Sequence, residues 1–145
     1  MTQVLHTLEQ TLSGLFRIKR GAERYRVGCP VRLPVGVSME NERIDPEAER
    51  YPEPIRGRTS DVSATGLSFF VPWLNLGDER IDVLGYPLRV VLSLPTGVII
   101  LHAETVHCRS ERGDGGLDGY VVGARITRMN EFDRRRYDDF LATLN

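Results

Sequence analysis

The sequence predicts a mainly β fold, an antiparallel sheet curved into a small barrel, with a helix at each end. Three observations predict it. Residues 25–37 alternate strictly, with Tyr25, Val27, Cys29, Val31, Leu33, Val35 and Val37 on one parity. Arg26, Gly28, Pro30, Arg32, Pro34 and Gly36 occupy the other, so one face is buried and one is wet. Later strand-like runs are separated by tight-turn residues, Pro95-Thr96-Gly97 and Gly113-Asp114-Gly115-Gly116, at hairpin spacing. A long strand with glycines on one face bends more readily than it lies flat.

Taken in order, residues 3–19 read as a helix, because Leu5, Leu8, Leu12 and Leu15 recur at helical spacing. The seam is short for an independent coiled coil. Two roles stay open for it: packing on the barrel, or pairing with a second subunit. Domain boundaries follow, with an N-terminal helix over 1–17 and the domain proper over 18–145. Within the strand of residues 25–37, Pro30 and Pro34 share parity, so that side should be a sheet edge or bulged.

Residues 38–54 are charged and proline-containing, and read as an exposed connection. Strands are expected at Ile55–Val62 and Leu67–Val71, with Trp73 to Gly85 irregular. Leu88, Val90, Leu92 and Leu94 alternate again, then Val98–Arg109 and Gly119–Thr127 complete the set. A closing helix should start at Asn130, with Asn130 as N-cap and Asp133 three residues on. Its apolar stripe of Phe132, Tyr137, Phe140, Leu141 and Leu144 is expected to dock on the barrel mouth.

Composition narrows the function. At 145 residues the chain is one domain in size, long enough to bury about two thirds of its unfolded surface. A net charge of −1 excludes a global attraction to nucleic acid or to an anionic membrane. Yet Arg17, Lys19, Arg20, Arg24 and Arg26 crowd into ten residues opposed only by Glu23, a local anion site in prospect. Cys29 and Cys108 are too few and too distant for a disulfide framework or a metal site, so neither is expected. No stretch reaches the roughly 20 apolar residues of a membrane span, and the N-terminus lacks the charge and apolar core of a signal peptide. A soluble cytoplasmic protein is the expectation.

Two short motifs carry the chemistry. Asp61-Val62-Ser63-Ala64-Thr65-Gly66 makes an Asp-x-Ser-x-x-Gly pattern between two strands. Asp and Ser bond their own backbone in turns, and Gly permits positive φ or a close approach. Upstream, Arg20-Gly21-Ala22-Glu23-Arg24 places two arginines four apart. Each alone has a plain reading, a self-bonded turn for the first and a solvated junction for the second.

Together, and in this order, the motifs resemble those of the PilZ domain, a bacterial receptor for cyclic di-GMP. The likeness spans roughly residues 18–144. It includes Pro30, Val31 and Leu33 of the first strand, the Leu94-Pro95-x-Gly97 hairpin, the Val122–Ile126 strand and the closing helix after Asp133-Arg134. The resemblance implies a six-stranded antiparallel PilZ-type barrel with a C-terminal capping helix, the N-terminal helix being this chain's departure from the pattern. It also implies that Arg20 and Arg24 clamp phosphate and guanine edges, that Asp61 takes a guanine's Watson–Crick edge, and that Gly66 lets the backbone come close. Ser63 would bond phosphate or hold the turn. Lys19 would offset the charge of a second nucleotide. Arg26 gives an alternative arginine spacing, with Ala22 in the first position, which fits less well than Arg20 with Arg24.

The chemistry stands independently of the family. Guanine O6 and N7 form an acceptor edge that an Arg fork matches bidentately, and its N1–H and N2–H₂ suit a carboxylate. Phosphate oxygens suit Arg, hydroxyl and backbone N–H. An enzyme is not expected. His107 and Cys108 are strand neighbours pointing to opposite faces, and no nucleotide-hydrolase, zinc-protease or serine-hydrolase pattern occurs. A single-strand nucleic-acid barrel would want several exposed aromatics and a basic groove. The reading is therefore a cyclic di-GMP receptor that changes conformation and signals to an unidentified effector protein. Its rival is a PilZ-like protein-interaction module that binds no nucleotide.

Overall fold

Alternating burial builds the molecule strand by strand. The computed structural model describes residues 22–34, 54–112, 116 and 118–145. In chain order the strands are β1 (Pro30–Leu33), β2 (Ile55–Val62), β3 (Gly66–Val71), β4 (Asn75–Leu76), β5 (Glu79–Arg80), β6 (Pro87–Leu94), β7 (Gly97–Arg112) and β8 (Asp118–Arg128). Helix α1 (Glu131–Thr143) follows. Six strands close a barrel in the order β1-β2-β3-β8-β7-β6, every neighbouring pair antiparallel. The expected N-terminal helix, Lys19, Arg20 and nearly all of the charged connection lie outside the described residues.

The inward-facing side chains of the barrel strands fill the interior. Val31 and Leu33 meet Ile55, Phe69, Val71, Leu92, Leu101 and Val122, all at most 3% exposed. Each such side chain contributes about 1.5–3 kcal/mol relative to exposure, which makes this shared interior the main support of the fold.

The first strand differs from expectation. Among its described residues only Pro30–Leu33 pairs as strand, residues 35–37 lying outside them, and it is no edge, since it bonds β2 on one side and β6 on the other. Pro30 is its first residue and Pro34 follows its last, so the missing N–H groups bound the paired segment rather than mark an open side. Residues 25–29 run beside β2 without regular pairing. Backbone bonds Tyr25 N–Val62 O (2.8 Å), Val62 N–Tyr25 O (2.9 Å) and Thr59 N–Cys29 O (2.8 Å) hold them. The buried Thr59 hydroxyl donates to Val27 O and accepts from Cys29 N, tying both.

A second difference is the stretch from Trp73 to Gly85, which contains the small β4–β5 hairpin. Gly77, at φ 64°, takes the turn there. A third concerns α1. Tyr137, Phe140 and Leu141 are buried, but Phe132 is 72% exposed and forms no part of the docked stripe. At the first turn of the helix it faces solvent, with the Arg136 guanidinium 5.6 Å from its ring centre.

The helix start follows the expected capping chemistry. Asn130 Oδ1 accepts from Asp133 N at 2.7 Å. Asp133 Oδ2 accepts from Ile100 N on β7 at 3.1 Å, so the cap also fastens the helix to the barrel. Asn130→Ala should cost about 0.5–2 kcal/mol of stability. A urea midpoint equal to that of the parent protein would show that the cap contributes nothing.

Candidate functional site

The β2–β3 turn is built by Ser63. Its backbone N–H donates to Gly66 O (2.8 Å), while its hydroxyl accepts from Gly66 N (3.1 Å) and Thr65 N (3.3 Å). The same hydroxyl donates to Gly66 O at 3.1 Å. At 2% exposure Ser63 is committed to holding the turn, the second of the two roles the sequence left open. Gly66 does make a close approach, but to β8: a Cβ there would lie 2.6 Å from Ala124 O. Backbone clash, and not a ligand, is what excludes a side chain at this position.

The turn is braced from outside as well. Tyr137 Oη donates to Ser63 O (2.6 Å), Arg134 Nη2 to Ala64 O (2.8 Å), and Ile126 N to Thr65 O (2.9 Å). Helix α1 and strand β8 thus satisfy three successive carbonyls. Burial pushes the Tyr137 phenol well above its ordinary range, so it stays a donor at any physiological pH. Sequence reasoning gave neither Arg134 nor Tyr137 a part in the site. The contacts span 70 and 74 residues, and no local pattern carries such a signal.

A bulge aims Asp61. Ile55, Thr59 and Val62 are buried, so the parity of β2 breaks between Thr59 and Asp61, where Ser60 is the extra residue. Unbroken alternation would send Asp61 inward with Thr59. The bulge turns it outward and Val62 into the core. There Arg24 Nη1 reaches Asp61 Oδ1 at 2.6 Å, placed by the adjacent Tyr25–Val62 bridge. The structure thus pairs Asp61 with Arg24, and Arg26 is exposed one residue beyond Tyr25. Side-chain exposures of 50% for Arg24 and 26% for Asp61 leave both ions in contact with water. An ion pair of that exposure contributes about 0–1 kcal/mol, too little to lock the two together against a ligand.

Beside the turn, a cleft of about 400 Å³ lies between the lead-in and α1, lined by Ala22, Glu23, Tyr25, Ala64, Asp138 and Leu141 among others. Glu23 and Asp138 contribute carboxylates to its walls, the latter paired with Arg134 at 3.2 Å. Elsewhere, His107 stands over Gly123 on the outer face while Cys108 packs against the core, as strand neighbours must. Burial, with Asp82 adding, pushes the Cys108 thiol up to about 11, far from a nucleophile at neutral pH. Among the described residues no group of three His, Cys, Asp or Glu side chains could hold a metal ion. Among them, too, no helix is long and apolar enough to cross a membrane.

Residues 18–143 match the family described as the PilZ domain. The chain belongs to the PilZ domain family. Solved PilZ structures share its fold. The PilZ domain of YcgR from Escherichia coli with c-di-GMP superposes with a TM-score of 0.59 at 12% identity, covering 87% of this chain and 91% of that one. The K. pneumonia MrkH–c-di-GMP complex gives 0.61 at 16% identity, over 87% of this chain and 52% of that one. The inhibitor of motility MotI/DgrA from Bacillus subtilis gives 0.53 at 17% identity, over 87% and 49%. The chain therefore spans about half the length of the latter two. No protein of curated function matches the sequence significantly.

Proposed function

We propose that this PilZ domain is a receptor for cyclic di-GMP that grips the nucleotide with Arg24 and Asp61 at the β2–β3 turn. The observation that carries the reading is the Arg24–Asp61 pair, where a guanidinium and a carboxylate from the two motifs meet at one exposed point. An Arg fork matches guanine O6 and N7, and a carboxylate accepts from N1–H and N2–H₂. The two thus read opposite edges of guanine chemistry from one place. Two of the fold relatives, YcgR and MrkH, are described in complex with c-di-GMP, which supports the same ligand class here.

On binding, Asp61 keeps lone pairs for guanine donors while Arg24 turns to the ligand. The pair's small worth makes this exchange inexpensive: about 0–1 kcal/mol lost against about 1–3 kcal/mol for a bidentate base contact. Arg20, four residues before Arg24, and Lys19 are proposed to complete the phosphate contacts. Arg26 supplies a further exposed cation. Ser63 and Gly66 act indirectly, by holding the turn that presents Asp61. Output passes to an effector protein through residues 1–17, either directly or by exchange with a second subunit.

The mutual satisfaction of Arg24 and Asp61 favours a second reading, in which the pair is purely structural and the domain binds only protein. Calorimetry separates the two. The receptor reading expects saturable binding of cyclic di-GMP whose affinity falls as salt rises, because Arg–phosphate contacts are screened. Gel filtration of the same samples reports any change of subunit number. Heat no different from buffer dilution at millimolar nucleotide would leave the interaction module standing.

A further inference from the structure

Strand β7 outruns one of its two neighbours. Its pairing with β6 ends where Glu104 meets Pro87. Thr105 then closes that side, its N–H donating to Tyr86 O at 3.0 Å and its carbonyl accepting from Gly85 N at 2.7 Å. On the other side β8 stays paired as far as Arg112. Among the described residues, no strand or loop backbone bonds Cys108–Arg112 on the β6 side. Alternation shows which groups this leaves open. Ile126 N bonds Thr65 O, so the even residues of β8 point toward β3 and the odd ones toward β7. Val121 and Gly119 therefore bond Arg109 and Glu111, their partners in register. Cys108, Ser110 and Arg112 turn their N–H and C=O the other way, along a stretch where Arg109 to Arg112 are all exposed. Such an edge is a template for a further strand.

Charge selects the occupant. Arg109 and Glu111 share the outer face, with Nη1 and Oε2 3.2 Å apart and side chains 60% and 40% exposed. They are opposite in sign and stand one residue either side of Ser110. A second copy laid antiparallel about a two-fold axis at Ser110 brings Arg109 against the partner's Glu111, and Glu111 against the partner's Arg109. Both ion pairs fall at non-hydrogen-bonded positions, where facing side chains come closest. The outward backbone groups of Ser110, and of Cys108 with the partner's Arg112, then bond each other. Sliding the partner by two residues either way sets Arg109 against Arg109, or Glu111 against Glu111, and like charges directly opposite destabilise a sheet. A slide of one residue leaves the outward N–H and C=O groups without facing partners.

We propose that the β7 edge from Cys108 to Arg112 is a self-association surface, on which a second copy of this chain adds its own β7 edge antiparallel. The contact is the same on both subunits, so it closes at two copies and does not propagate. An edge of five residues is small for an interface, and the association is weak and reversible. The surface lies on a strand that carries neither Arg24 nor Asp61, so it stands whether or not that pair takes a nucleotide.

The test is sedimentation equilibrium of the full chain without nucleotide, carried up to about 1 mM, the range of a weak contact. A monomer–dimer equilibrium is expected. Arg109→Glu and Glu111→Arg each place like charges opposite one another at both symmetry-related positions. Each should weaken the dimer about tenfold or more. Mixed in equal amounts, the two variants should recover the association, because each supplies the charge that the other's edge lacks. Both positions are exposed, and heat denaturation checks that each variant is folded. A chain that stays monomeric throughout, or a mixture that fails to recover what the single variants lose, would overturn the proposal. So would a dimer indifferent to both substitutions, which would belong to another surface, residues 1–17 included.

Discussion

Tyr137→Ala should lower the unfolding free energy by about 3–5 kcal/mol, the range for truncating a large buried aromatic. The ring is fully buried in the core beneath α1, and its hydroxyl is the donor to Ser63 O. Against a total stability of about 5–15 kcal/mol, the loss is a large share. Tyr137→Phe separates the two contributions. It keeps the ring and leaves Ser63 O without its 2.6 Å donor, for a cost of about 1–3 kcal/mol. Denaturant titrations of both variants decide. If Tyr137→Phe matches the parent protein, the helix does not brace the turn through this bond.

Arg24→Ala and Asp61→Ala should each weaken cyclic di-GMP by about five- to 150-fold, which corresponds to about 1–3 kcal/mol per lost base contact. Stability should move by only about 1 kcal/mol or less, because the pair is exposed. Tyr137→Ala strikes the scaffold, whereas Arg24→Ala and Asp61→Ala strike the ligand contacts. A double mutant should show coupling, since neighbours in one ion pair are not independent. Wild-type affinity in both single variants would end the assignment of this pair to the ligand.

Much of the architecture was legible because its cause is local. Alternation over β6 follows from one wet and one dry face, and the structure places β6 and β8 within a residue or two of expectation. Asn130 caps α1 because its side chain needs only the next few residues to find its partner. Phe132 was misplaced for the opposite reason. A helical stripe marks an apolar face, but how far the barrel reaches along the helix is decided by partners distant in sequence. The small β4–β5 hairpin was hidden because two-residue strands have no period to detect.

The sequence by itself determined the family, the candidate pair of motifs and the residue types able to read guanine and phosphate. Ser63 announces the turn through a hydroxyl that bonds the adjacent backbone, a property of a few neighbouring residues, and Asp61 and Gly66 flank it as turn-compatible types. Tertiary structure alone decided what each of them does. Bulges at Ser60 and Thr127 reverse strand parity and so bring Asp61 out to Arg24 and Arg128 across from His102. Gly66 is required by the Ala124 carbonyl of β8, and the turn's carbonyls are answered by Arg134, Tyr137 and Ile126. The physical reason is the same in each case. An extra residue in a strand changes the face of everything after it, and whether the ladder absorbs one depends on how the neighbouring strand packs.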